Sequence, residues 1–190
     1  EEAFRGNEWR VDETMDRLDR MNALRKAIVV GVAPRDRMRD YTKPGYGAYG
    51  RFLAHRLKPL VDQHLRTHVA REDTLVMGSS LGGLISVYAG IKYPEVFGIV
   101  GAMSPSTWWD ETYIVGAVSG IDMTKPHPLR VYVDSGTPSD DSKNTAKLAD
   151  AWKALGYQEG KDFHYYTEAG AHSEVYWQKR LPGALSFLFG

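Results

Sequence analysis

The chain has 190 residues, 43% hydrophobic and 25% charged, the balance of a single globular domain with a substantial core. Lysine plus arginine equals aspartate plus glutamate at 24 each, so no electrostatic footprint for nucleic acid is visible, and no apolar run approaches the roughly 20 residues of a membrane span. Cysteine is absent, which excludes disulfides, thiolate catalysis and cysteine metal sites while leaving the compartment open.

The chain opens Glu1-Glu2-Ala3-Phe4 without an initiator Met or a signal peptide, and reads as a processed product or a fragment. Residues 9–24 carry Val11, Met15, Leu18 and Met21 at helical spacing among charges, which predicts an amphipathic helix. Residues 27–32 are a continuous apolar run rich in β-branched side chains, which predicts a buried parallel strand ended by Pro34. Residues 34–46 read as a charged loop leaving that strand, either a solvated connector or, through Arg37, part of a substrate pocket. Residues 48–68 carry Leu53, Leu57, Leu60, Val61 and Leu65 on a helix, with a kink or break expected at Pro59. His64 and His68 stand four apart there but lack the glutamate of H-E-x-x-H and an evident third ligand, so surface histidines are expected and no metal site.

The next stretch carries the chemistry. Residues 75–77 read as a short buried strand that meets Gly78-x-Ser80-x-Gly82, and an apolar segment of helical length follows. Strand, tight turn and helix are the context of a nucleophile elbow, in which the glycines let strand and helix approach and the serine hydroxyl is exposed. Ser80 is the candidate nucleophile, and the Leu81 N–H is positioned to serve one side of an oxyanion hole. The rival reading, a phosphate-binding loop, lacks both the Lys-Ser/Thr ending of a Walker loop and the G-x-G-x-x-G spacing.

Residues 99–103 predict the next strand, ending in Ser104-Pro105-Ser106-Thr107-Trp108-Trp109. Trp108 and Trp109 are candidates to wall a substrate pocket, or else core or lid residues. Helical content is expected around 112–118, a strand over 129–133, a helix over 143–155 stopped by Gly156, a strand over 163–167 and a closing helix over 181–189. This alternation means an α/β sandwich around a mostly parallel sheet of about five strands.

A serine hydroxyl needs a base, and the base needs an acid to hold its tautomer. In α/β-hydrolases these follow in the order Ser, Asp/Glu, His, each on a loop after a strand. Ser80, then Asp140 or Asp141, then His172 reproduce that order. His55, His64 and His68 precede Ser80, His127 precedes a strand and His164 lies within one, so His172 is the candidate base. For the acid Asp140 is preferred and Asp141 is the alternative, the other aspartate capping the following helix; Asp134, Glu168 and Glu174 are further carboxylates nearby.

Val76-Met-Gly-Ser-Ser-Leu-Gly-Gly-Leu84, Lys92-Tyr-Pro-Glu-Val-Phe-Gly98 and Ala102-Met-Ser-Pro-Ser-Thr-Trp-Trp109 together resemble the esterase D-like family of α/β-hydrolases, from about residue 8 to the C-terminus. That resemblance implies a three-layer α/β-hydrolase sandwich, with Ser80 as nucleophile and His172 as base. It places the acid shortly after a glycine; Gly136-Thr-Pro-Ser-Asp140 is one residue longer than the common spacing. Arg37 with Asp40-Tyr41 is similar to the family's loop near the substrate pocket. The resemblance also implies strands ahead of this chain's first residue, one of which sits between the strands matching 27–32 and 74–78 and leads to the second oxyanion donor. Residues 1–8 look like the tail of that loop. A fragment, a sheet closed up after loss of those strands, or a partner filling the gap would each account for this, and exposed edges favour a homodimer.

The function expected is a serine carboxylesterase acting on a small-molecule ester through an acyl-enzyme, with no metal or organic cofactor. The competing expectation is a non-catalytic module of the same fold that binds a carbohydrate or protein partner through Trp108, Trp109 and residues 34–46.

Overall fold

A computed structural model describes residues 8–124 and 128–190. His127 and residues 1–7, which make up all but the last residue of the expected loop tail 1–8, lie outside the described residues. In chain order come α1 (Val11–Arg20), α2 (Arg37–Tyr41), α3 (Tyr46–Phe52), a π-helical turn (Leu53–Leu57), α4 (Lys58–His64), β1 (Leu75–Ser79), α5 (Leu81–Lys92), β2 (Ile99–Met103), α6 (Trp109–Ser119), β3 (Arg130–Ser139), α7 (Ser142–Ala154), β4 (Phe163–Ala171) and α8 (Glu174–Phe189).

The strands form a four-stranded sheet in the order β1-β2-β3-β4, every neighbour parallel. Successive side chains on a strand point to opposite faces, and the core divides accordingly. Val100 and Ala102 of β2 and Val131 and Val133 of β3 pack with Leu84 and Val87 of α5, Ile114 and Val118 of α6, and Leu148 and Trp152 of α7. Ile99, Met103 and Tyr132 face the other way, onto Leu18 of α1 and Trp177, Leu181, Leu185 and Leu188 of α8. The result is the three-layer sandwich. All three crossover helices lie on one face while the strand order advances in one direction, so every βαβ unit has the same hand.

Residues 27–32 correct the expectation of a fifth strand: they join no ladder, and Ile28, Val29 and Val30 are exposed. Arg25, ahead of the run, pairs with Asp73 just before β1, and Tyr41, after it, lies beside Gly82 just past the end of β1. A β-branched run becomes a strand only when a neighbour takes its N–H and C=O groups. The strand that the family resemblance places between this run and β1 is not among the described elements, and β1 is an edge whose residues are only partly buried.

Pro59 neither breaks nor ends its helix. The π-helical turn over Leu53–Leu57 precedes it, and Pro59 falls in the first turn of α4, where its missing N–H is tolerated. The helix stops at His64, so His64 and His68 do not share a helical face, and His64 Nδ1 instead bonds the Leu60 carbonyl at 2.9 Å. Asp110, Glu111 and Thr112 have positive φ, so regular helix in α6 begins after them, as its apolar pattern suggests.

Candidate active site

The elbow is built by close approach. Ser80 sits between β1 and α5 at φ 56° and ψ −126°, a conformation that is strained for a non-glycine residue. Three hydrogen bonds hold it there: its N–H donates to the Met103 carbonyl at 3.0 Å, and its carbonyl accepts from Leu84 at 3.1 Å and Ser106 at 3.0 Å. A β-carbon on Gly78 would stand 2.5 Å from the carbonyl carbon of Gly82, where only backbone can yield. Gly78→Ala is therefore expected to destabilise the protein by about 1–3 kcal/mol. A urea midpoint unchanged from the parent would contradict this account of the turn.

The Leu81 N–H opens α5 and takes no backbone acceptor among the described residues, as expected of a helix's first N–H groups. The Ser80 hydroxyl lies 3.3 Å from Ser106 Oγ, and no Ser80–His172 hydrogen bond forms among the described residues.

The other half of the site depends on strand length. β3 and β4 extend well past the apolar runs that announce them and stay paired up to Ser139 and Ala171, which are register partners. The next residue on each strand is Asp140 and then His172, so two side chains 32 positions apart emerge together. His172 Nδ1 lies 2.7 Å from Asp140 Oδ1. The other contacts of Asp140 are the Asp141 N–H to Oδ1 at 2.9 Å, and the Gly136 N–H at 2.8 Å and the Ser104 hydroxyl at 2.5 Å, both to Oδ2.

Burial alone would push the Asp140 carboxyl upward, but the bonds from His172, Ser104, Gly136 and Asp141 outweigh it and hold its pKa well below the ordinary carboxylate value. An ionised carboxylate only accepts, so the proton in this bond is carried by His172 Nδ1. The imidazole also packs edge-on against Trp177, ring centroids 5.0 Å apart.

The depressed pKa is also a linkage statement. Asp140 contributes stability that is fully present above the unfolded carboxylate range of about 4 and is lost as pH falls below it toward the folded value. Denaturation midpoints of the parent should fall between pH 5 and pH 2 more steeply than those of Asp140→Asn; parallel slopes would count against this reading.

Asp141 takes the N-cap position of α7 but, against the expectation of a cap, its side chain makes no bond to the helix backbone there; its Oδ1 accepts from the Asn144 side chain at 2.9 Å. Among the described residues it makes no hydrogen bond to His172. Glu168 lies 3.9 Å from Arg180 and makes none to His172 either.

Of the pocket candidates, Trp109 packs partly buried against the core and lines a small cavity with Tyr41, Tyr88 and Tyr113. Trp108 is half exposed beside it, ring centroids 5.2 Å apart. Arg37 lies in α2, a short helix inside the expected loop that Asp36 caps by accepting the Arg39 N–H at 3.0 Å. Its guanidinium stands 5.9 Å from the centre of the Tyr41 ring, the same ring that packs on Gly82, so it is one side chain removed from the elbow. Among the described residues no cluster of three or more His, Asp or Glu side chains is arranged to hold a metal.

Sequence reading missed Ser104, Ser106, Trp177 and Arg180. A signal for Arg180 exists: it interrupts the apolar stripe Trp177, Leu181, Ala184, Leu185, Leu188 of α8, where a charge is rarely buried without a partner.

The comparisons agree with this architecture. The sequence matches the family described as "Putative esterase" over residues 6–188. It is 24% identical to the uncharacterized protein YbbA of Bacillus subtilis over 94% of this chain and 79% of that protein. It is 28% identical to the iron(III) enterobactin esterase of Dickeya dadantii over 67% of this chain but only 30% of that enzyme. A solved ferulic acid esterase superposes with a TM-score of 0.76 at 20% identity, covering 95% of this chain and 77% of that one. With the family matched over nearly its whole length and the sheet, elbow and crossovers in place, the chain belongs to this esterase family of ester hydrolases with the α/β-hydrolase fold.

Proposed function

We propose that the protein is a serine carboxylesterase whose triad is Ser80, His172 and Asp140. The observation that carries the reading is the His172–Asp140 bond at 2.7 Å, made at the paired ends of β3 and β4 and oriented to leave Nε2 of His172 basic. Ser80 supplies the nucleophile from a strained elbow at the end of β1.

The reaction follows from these groups. In this reading Ser80 exchanges its 3.3 Å contact with Ser106 for a hydrogen bond to Nε2 of His172 when substrate binds, as catalytic hydrogen bonds commonly tighten only then. His172 then takes the hydroxyl proton as Ser80 Oγ adds to the ester carbonyl, and the Leu81 N–H donates to the oxyanion. Collapse of the tetrahedral adduct expels the alcohol, which His172 protonates, and an acyl-Ser80 ester remains. Water repeats the sequence to release the acid. Asp140 stays ionised throughout and stabilises the imidazolium.

The substrate is a small-molecule carboxylic ester. Arg37, Trp108 and Trp109 are the pocket residues in this reading, on the grounds that α2 and the segment after β2 flank the elbow. A relative named iron(III) enterobactin esterase and a solved neighbour named ferulic acid esterase make enterobactin and ferulate esters the first to assay, beside p-nitrophenyl acetate.

A fluorophosphonate probe provides the direct test. The adduct is expected on a single residue, Ser80, found by peptide mass spectrometry, and is expected to be absent in Ser80→Ala. A protein that stays unlabelled and hydrolyses none of the esters is the non-catalytic binding module instead.

A further inference from the structure

We propose that Ser104, held by Arg180 and Trp177, is a positioning residue that orients Asp140 and sets the basicity of His172. The inference rests on the triad reading above and adds to it a device that decides how that triad titrates.

Ser104 follows β2, is almost wholly buried, and has φ 40°, an uncommon conformation for a residue with a side chain. Its Oγ has three partners: Trp177 Nε1 at 2.9 Å, Arg180 Nη2 at 2.8 Å and Asp140 Oδ2 at 2.5 Å. A hydroxyl has one hydrogen and two lone pairs, and an indole N–H and a guanidinium N–H only donate. They occupy both lone pairs, so the one hydrogen goes to Asp140. The direction of this bond is settled by the chemistry of the partners, with no rotor left to choose.

Arg180 is fixed in turn. It is 3% exposed. Its Nε donates to Asp134 Oδ2 at 2.9 Å and its Nη2 to Asp134 Oδ1 at 3.1 Å. Asp134 also accepts from the Ser104 N–H at 2.9 Å and the Tyr132 hydroxyl at 3.0 Å. Burial, the largest influence, leaves the Asp134 carboxyl above its ordinary value although Arg180, Ser104 and Tyr132 pull it down; each of these contacts brings a donor to one of its two oxygens. Ser104 is thus anchored by its backbone to Asp134 and by its side chain to the cation that Asp134 holds.

The consequence reaches His172 through Asp140. Oδ1 of Asp140 faces His172, and Oδ2 is pinned by Ser104 and Gly136, so the carboxylate cannot rotate away from the imidazole. A donor polarised by a guanidinium also draws charge from the carboxylate. Without it Asp140 becomes the stronger acceptor, favours imidazolium, and raises the pKa of His172. The charged and titratable groups around the pair are Asp141 beside Asp140, Asp134 and Tyr132 on β3, Glu168 and Tyr166 on β4, and Arg180 on α8, and the test leaves their charges unchanged.

The experiment compares the purified chain with Ser104→Ala and Arg180→Lys, measuring kcat and KM for p-nitrophenyl acetate from pH 5 to 9. The Nδ1 proton of His172 is followed by its downfield NMR resonance. Ser104→Ala is expected to lower kcat about 10- to 100-fold with KM little changed. The acidic limb of kcat/KM is expected to move to higher pH, with a shifted Nδ1 resonance. Arg180→Lys keeps the positive charge and loses the fork, and is expected to move the limb the same way by less. A folded Ser104→Ala with the parental limb and resonance overturns the inference, as does a parental limb in Arg180→Lys should the alanine variant not fold. Ser80→Ala, run alongside, separates this outcome from failure of the triad reading: turnover retained there removes the triad itself.

Discussion

Ser80→Ala is expected to lower kcat by about 10⁴- to 10⁶-fold, with the fold and substrate binding little affected. The size follows from what is lost and what remains. The variant has no atom to form the acyl-enzyme, so His172 is left with no hydroxyl to activate and only direct attack by water is available. The Leu81 N–H and the binding surface persist, which is why the expected rate stays above that of water alone. Stability should be nearly unchanged, because the hydroxyl makes one 3.3 Å contact with Ser106, and the strained backbone depends on hydrogen bonds from main-chain atoms. Initial rates with p-nitrophenyl acetate, measured on protein whose circular dichroism matches the parent, decide the matter. Turnover within tenfold of the parent would remove Ser80 from the chemistry.

Asp140→Asn is expected to lower kcat about 10⁴-fold, and Asp141→Asn to leave it within a few-fold. The two residues are adjacent and both acidic, so composition cannot separate them; their contacts do. At position 140 the Ser104 hydroxyl and the Gly136 N–H both donate to one carboxylate oxygen. An asparagine must turn its carbonyl oxygen toward that pair, which aims its NH₂ at His172. The imidazole then accepts at Nδ1 and carries its proton on Nε2, the tautomer that cannot take a proton from Ser80. At position 141 the carboxylate accepts from the Asn144 side chain at the start of α7 and makes no cap bond to the helix backbone, so the amide costs at most that one contact. Wild-type rates in Asp140→Asn with loss in Asp141→Asn would reverse the assignment.

Most of the architecture was legible in the chain. Runs rich in apolar or aromatic residues at 75–77, 99–103, 129–133 and 163–167 mark the four strands, and the unbroken apolar run 99–103 is β2, whose residues are all buried. The ends of two of them were not legible. Asp134-Ser135-Gly136-Thr137 has the composition of a loop, yet it continues β3, with Asp134 and Ser135 fully buried. What makes that burial tolerable is Arg180, 46 residues away on α8. The opposite error occurred at residues 27–32, where strand-forming side chains lack the neighbour that would make them a strand.

The layers, the glycine-flanked turn at Ser80 and the order of Ser80, Asp140 or Asp141, and His172 could be read along the chain, because periodicity, glycine spacing and chain order are local properties. Which aspartate meets the histidine depends on how the folded strands pair. That choice rests on the register Ser139 to Ala171, which brings Asp140 beside His172, and on the donors from Ser104 and Gly136 that keep its carboxylate turned toward the ring. Ser104 and Arg180 were equally invisible beforehand. A buried hydrogen bond depends on partners drawn from separate strands and helices, and no window along the chain contains them together.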